Sequence, residues 1–131
     1  MTSIKVILMS LLLFFTPQLF ATDCSVGYAH MKSGKYKLAY GEFRDLAERG
    51  YPIYMNMIGD MHLKGQGVPK SKMLAYIWYS LAAAQDDATG MTLKKAVATQ
   101  LSDQQLADSR EIARVYAINY LKPYVAGWSL E

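Results

Sequence analysis

The sequence predicts an all-α fold, a short α/α solenoid of about three stacked antiparallel helix pairs, and three observations lead there. The first is a corner, Gly65-Gln66-Gly67-Val68-Pro69, set between two stretches of helical periodicity at 52–64 and 72–84. Gly65 and Gly67 supply the backbone freedom of a tight turn, and Pro69 stands where a new helix can begin without losing a hydrogen bond. The second is the run 75–84, where Ile77, Leu81 and Ala84 are apolar as well as the inward-facing residues. A helix apolar nearly all round must be covered on both sides, as neighbouring hairpins do in a stack. The third is internal repetition. A shift of 36 positions lays Leu38-Ala39-Tyr40 over Leu74-Ala75-Tyr76, Phe43 over Tyr79 and Ala47 over Ala83, a period slightly above the roughly 34 residues of a tetratricopeptide unit.

The 131 residues, 52% hydrophobic and 19% charged, are enough for one small core. Residues 1–21 read as a secretory targeting segment rather than part of the fold. Lys5 gives a positive start, residues 6–15 are apolar apart from Ser10, Pro17 breaks the run and Ala21 offers a cleavage site. The run is short for a bilayer span. Cleavage after Ala21 leaves 22–131 as the repeat domain and, because Lys5 is the segment's one charge, takes the net charge from +3 to +2. The bulk of Leu19 leaves an uncleaved anchor as the alternative. With the segment removed, no membrane insertion is expected. So mild a charge, with no basic run interleaved with aromatics, argues against nucleic acid as a partner.

Cys24 is the single cysteine. Asp23 precedes it where lipidation needs a small residue, and no internal disulfide can form, so a free thiol on an unstructured end is expected, with pairing between chains as the alternative. A short helix follows over 25–33, with Tyr28 and Met31 as apolar contacts and Gly34 ending it. The next, over 35–49, places Leu38, Ala39, Phe43, Leu46 and Ala47 on one face and Lys37, Glu42, Arg44, Asp45 and Glu48 outside. Gly50 stops it and Pro52 opens the third helix.

On that third helix, 52–64, Tyr54, Met57, Ile58, Met61 and His62 fall on a core side. Asn56, Asp60 and Leu63 fall on the other, and are the candidate partner-binding residues. On the fourth helix, 72–84, Ala75, Trp78, Tyr79, Ala82 and Ala83 form the inner face. The alanines admit a neighbouring backbone while Trp78 and Tyr79 fill the remaining space. Beyond Asp87 a helix over 91–101 is expected, then a capping box of Ser102 with Gln105 opening a last helix to about residue 122, where Pro123 ends it. Leu106, Ile112, Ala113, Tyr116 and Tyr120 form its apolar side. Tyr124 and Trp128 either fold back over that helix or meet a partner or a second copy.

No catalytic constellation is present in the sequence. His30 and His62 have no metal-ligand or nucleophile partners at useful spacing, Glu42 with Asp45 lies on a solvated face, and Gly65-x-Gly67 lacks the third glycine and the strand of a dinucleotide loop. No cofactor and no metal are expected, and the chain reads as a non-enzyme.

The central hairpin resembles the Sel1-like repeat family. Its pattern is Leu-Gly-x-Met-Tyr-x-x-Gly-x-Gly-Val followed by Ala-x-x-Trp-Tyr-x-x-Ala-Ala, matched by Ile58, Gly59, Met61, Gly65, Gly67, Val68, Ala75, Trp78, Tyr79, Ala82 and Ala83. His62 stands where the family has an aromatic and Tyr54 where it has a small alanine, and either is expected to re-tilt the first helix of the pair. The tract 101–107 resembles the segment that closes such arrays. The resemblance implies a tetratricopeptide-like solenoid and a protein-binding adaptor, as exported members of the family serve envelope complexes, and hence a periplasmic or secreted protein. A cysteine-rich branch is linked to β-lactam or peptidoglycan-fragment binding. That branch staples each hairpin with a cysteine pair, which Cys24 alone cannot supply.

Overall fold

The computed structural model describes residues 24–121, so residues 1–21, expected to be a targeting segment, and the stretch with Pro123, Tyr124 and Trp128 lie outside the described residues. Among the described residues six α-helices follow one another: α1 (Cys24–Lys32), α2 (Tyr36–Glu48), α3 (Pro52–Lys64), α4 (Lys72–Ala83), α5 (Ala88–Ala98) and α6 (Asp103–Tyr116). The last continues into a π-helical stretch, Ala117–Leu121. The first four pack as pairs, α1 on α2 and α3 on α4, while α5 and α6 both lie against α4. Cys24, expected on an unstructured end, is instead the first residue of α1.

Local chemistry sets the boundaries. Pro52 sits in the first turn of α3, and Gly65 closes that helix in the left-handed conformation at φ 68°. At Gly67 (φ 74°) an added Cβ would lie 2.6 Å from the Tyr36 backbone, so the α3–α4 loop lies directly on the start of α2. Ser71 caps α4, its hydroxyl accepting from the Leu74 N–H. The Ser102–Gln105 capping box opens α6 as read from the sequence. The fifth helix differs: it starts at Ala88, three residues earlier than expected, because the Asp87 carboxylate caps it by accepting the Gly90 N–H at 2.6 Å.

The core lies in two parts around α4. One joins Ala39, Phe43 and Leu46 of α2 to Tyr54, Met55, Ile58 and Met61 of α3, Trp78 and Leu81 of α4, and Ala113 with Ala117 at the chain's far end. The other gathers Ala75, Tyr76 and Tyr79 against Val97 of α5, with Leu63, Leu101 and Leu106 packed on it. Helix α4 therefore touches α3 on one side and α5 and α6 on the other, and residues 75–82 are all buried, as its all-round apolar character required.

The internal repeat persists as packing. Phe43 and Tyr79, related by the 36-residue shift, each lie over a glycine of the preceding helix. An added Cβ on Gly27 would sit 2.6 Å from the Phe43 ring, and one on Gly59 would collide with the Tyr79 ring. Leu38 and Leu74, also in register, are both turned outward, 55% and 40% exposed. The assignment of Leu38 to the buried face is thus corrected: the repeat places it on the outer flank of α2. Ile112 is likewise not on the apolar side of α6 but 46% exposed, because Ser109, Ala113 and Ala117 supply the buried stripe there.

Candidate interaction surface

In α3 the two positions that depart from the repeat motif both meet α2. The Tyr54 ring stacks on Phe43 with centroids 5.7 Å apart and planes 23° apart. His62 meets the edge of Tyr40, whose hydroxyl lies 3.2 Å from Nε2. The departures thus fill the seam between the first two hairpins. Burial holds His62 below the ordinary histidine range, against a smaller opposite influence of the Pro69 backbone, so the ring is neutral at pH 7.

The residues expected to face a partner are placed differently. Asn56 is 8% exposed and its Nδ2 donates to Asp87 Oδ2 at 2.7 Å. Asp60 accepts from the Tyr79 hydroxyl at 2.6 Å, and Leu63 packs on the Ala75, Tyr76, Tyr79 and Val97 cluster. Asn56 is thus buried, which corrects its expected exposure, while Asp60 and Leu63 are half-buried, Asp60 lining an open cleft with Met57 and Lys64. The cause is that α3 is covered on two flanks, by α2 and by α4 with help from α5, so a polar stripe on it is not automatically a solvent stripe. The Asp87-x-x-Gly90 cap was the signal that could have marked the partner of Asn56. Burial, then the Asp60 carboxylate, raises the Tyr79 phenol far above its usual range, so it is a donor at neutral pH.

The remaining motif residues are structural. Gly59, Gly65, Gly67 and Val68 shape α3 and the corner, while Ala75, Trp78, Tyr79 and Ala82 are buried; Ala83 is half-buried. Trp78 meets Tyr116 of α6 edge-on at 5.4 Å. The Tyr116 hydroxyl then donates to Glu48 Oε1 at 2.7 Å, joining α6 to α2. Arg44 donates to the same oxygen at 2.8 Å. Burial would raise the Glu48 carboxyl, but the hydrogen bonds from Tyr116 and Arg44 outweigh it and leave it below the usual carboxylate range.

Among the described residues no group of three His, Cys, Asp or Glu could hold a metal ion, and no helix is long and apolar enough to cross a membrane. The described surface offers clefts and apolar side chains. One cleft, about 430 Å³, opens between α4, α5 and α6 and is lined by Tyr76, Ser80, Lys94, Ala107, Arg110 and Arg114, among others. Tyr51 and Ile53 lie exposed at the start of α3, and Ile112, Val115 and Ile118 along the end of the chain.

Stacked α/α hairpins with glycine-built corners define a class, the short helical-repeat solenoid. Residues 52–87 match the family model of the Sel1 repeat. The fold resembles the crystal structure of a protective antigen present in uropathogenic Escherichia coli strains displaying an SLR fold. The TM-score is 0.64 at 21% identity, over 68% of this chain and 19% of that one. The chain therefore spans about a fifth of the length of that structure. No curated protein matches the sequence. Residues 52–87 are therefore similar to a Sel1 repeat, and the fold around them is similar to that of a solved SLR-fold structure.

Proposed function

We propose that this chain is a non-enzymatic interaction module of the bacterial cell envelope, an adaptor that binds a protein partner through the surface of its solenoid. One observation carries the reading. Polar side chains that could do chemistry, Asn56, Asp60, Tyr79, Asp87, Glu48 and Tyr116, are engaged in bonds that hold one helix to another, and the motif residues build the core and the corner. A scaffold whose inner groups are committed to its own packing acts through its outer surface. Residues 1–21, with Lys5, the apolar run and Ala21, support delivery to the periplasm. The reading of the cysteine-rich branch, β-lactam or peptidoglycan-fragment binding, draws no support, since it rests on cysteine pairs this sequence does not contain.

The test is fractionation of a cell expressing the full chain with a C-terminal tag, the N-terminus of the product determined, followed by affinity capture. The expected product begins at Thr22, is released with the periplasm and co-purifies with a protein in fixed ratio. An unprocessed cytoplasmic product removes the envelope assignment. A periplasmic product that retains peptidoglycan fragments but no protein removes the adaptor assignment.

A further inference from the structure

The cleft between α4, α5 and α6 has a charge pattern that the packing does not explain. Its buried base is Tyr76 and Ser80 of α4, and Ala107 of α6 adds an apolar wall. Around these stand Lys94 of α5 and Arg110, Arg114 and Glu111 of α6. Arg114 is committed: its Nη2 and Nε lie 2.7 and 3.0 Å from the Glu111 carboxylate. Lys94 and Arg110 form no ion pair among the described residues, so two cations flank one partly apolar cleft without a counter-charge. The volume, about 430 Å³, is that of a cleft taking a few side chains rather than a whole helix.

We propose that this cleft is the docking site for an acidic segment of a protein partner, one carboxylate side chain meeting Lys94 and Arg110 while an apolar neighbour rests on Ala107. The proposal rests on the adaptor reading above and names the chemistry of its partner. A guanidinium and an ammonium on the two walls of a groove favour a planar carboxylate between them. Two free cations with an apolar base suit a peptide better than a nucleic acid, which needs a longer row of phosphate contacts and open aromatic faces. They also fall short of the basic clusters that hold anionic membranes.

The test is fluorescence anisotropy of the full chain with a labelled, end-capped peptide of alternating glutamate and leucine pairs, beside a second peptide with glutamine for glutamate. Lys94→Glu/Arg110→Glu is compared with wild type, and Lys94→Gln/Arg110→Gln serves should the reversal impair folding, each checked by circular dichroism. The expected result is salt-sensitive binding of the glutamate peptide, weaker by about tenfold or more in either double variant and for the glutamine peptide. Equal binding of the two peptides, equal binding by the variants, or no binding by wild type overturns the site. Tighter binding of an oligoadenylate or of phosphatidylglycerol vesicles than of the glutamate peptide also overturns it. The two proposals fail separately. An envelope protein captured equally by wild type and both variants removes this site and leaves the adaptor. Charge-dependent peptide binding with no envelope protein captured upholds the site and removes the adaptor's location.

Discussion

Asp87 Oδ2 accepts two hydrogen bonds at once, one at 2.7 Å from the buried Asn56 amide of α3 and one at 2.6 Å from the Gly90 N–H that begins α5. One carboxylate oxygen thereby caps α5 and ties its start to α3. Asp87→Ala removes a helix cap and leaves a buried amide without its partner. The expected loss is about 2–4 kcal/mol, the sum of ordinary cap and unsatisfied-donor costs. A urea melt of Asp87→Ala, Asn56→Ala and the double variant checks it, and the single losses should not add. Additive losses would mean that the two side chains act independently.

Trp78 lies between α4 and Tyr116 and is 5% exposed. Trp78→Ala is expected to cost roughly 3–5 kcal/mol, as deletion of a large core aromatic does. A shift in denaturation midpoint corresponding to less than about 1 kcal/mol would place Trp78 on the surface.

Three glycines should respond with different signs. Gly41 lies within α2 with nothing within 4 Å of an added Cβ, so Gly41→Ala should stabilise by about 0.5–1 kcal/mol. Gly59→Ala drives a methyl into the Tyr79 ring, itself held by Asp60, and should cost about 1–3 kcal/mol. Gly67→Ala meets backbone rather than a movable ring and adopts a left-handed φ, so it should cost at least as much as Gly59→Ala. Thermal melts of the three variants give the order directly.

Acidification should weaken the fold through His62. Its folded-state value lies below the ordinary histidine value of 6.5, so the unfolded chain takes up the proton first. The contribution is complete above about pH 7 and is lost as pH falls through 6.5 toward the lower folded value. Glu48, also depressed, adds a further loss below the usual carboxylate range. Chemical melts between pH 7.5 and 5, chosen to straddle roughly the histidine range, should show a decline for wild type that His62→Gln flattens. An unchanged slope in that variant would assign the decline elsewhere.

The parts of this architecture legible in the sequence are those whose cause is local. Pro52, the Gly65–Gly67 corner and the Ser102–Gln105 box each satisfy backbone groups within a few residues, and all three stand where the sequence puts them. The cover over α4 was legible because Ile77 and Leu81 leave that helix no polar face. The outward expectation failed for Asn56, and Asp60 and Leu63 are half-buried, for the opposite reason. Their partners, Asp87, Tyr79 and Val97, lie between 19 and 34 residues away in sequence, and helical periodicity sees one helix at a time. Leu38 misled similarly, since an amphipathic pattern marks a buried face without fixing its edge. The cleft beside Lys94 and Arg110 was not legible at all, because it exists only where α5 and α6 converge on α4.

The central claim, that this solenoid works by holding another protein on its outer surface, is tested most directly by photo-crosslinking in the cell that produces it. A photoreactive residue is placed in turn at Arg110, Leu38 and Asn56 of the full chain. The account predicts one discrete adduct with a single envelope protein from Arg110 and none from the buried Asn56. No protein adduct from either exposed position, or an adduct from Asn56 alone, would contradict it.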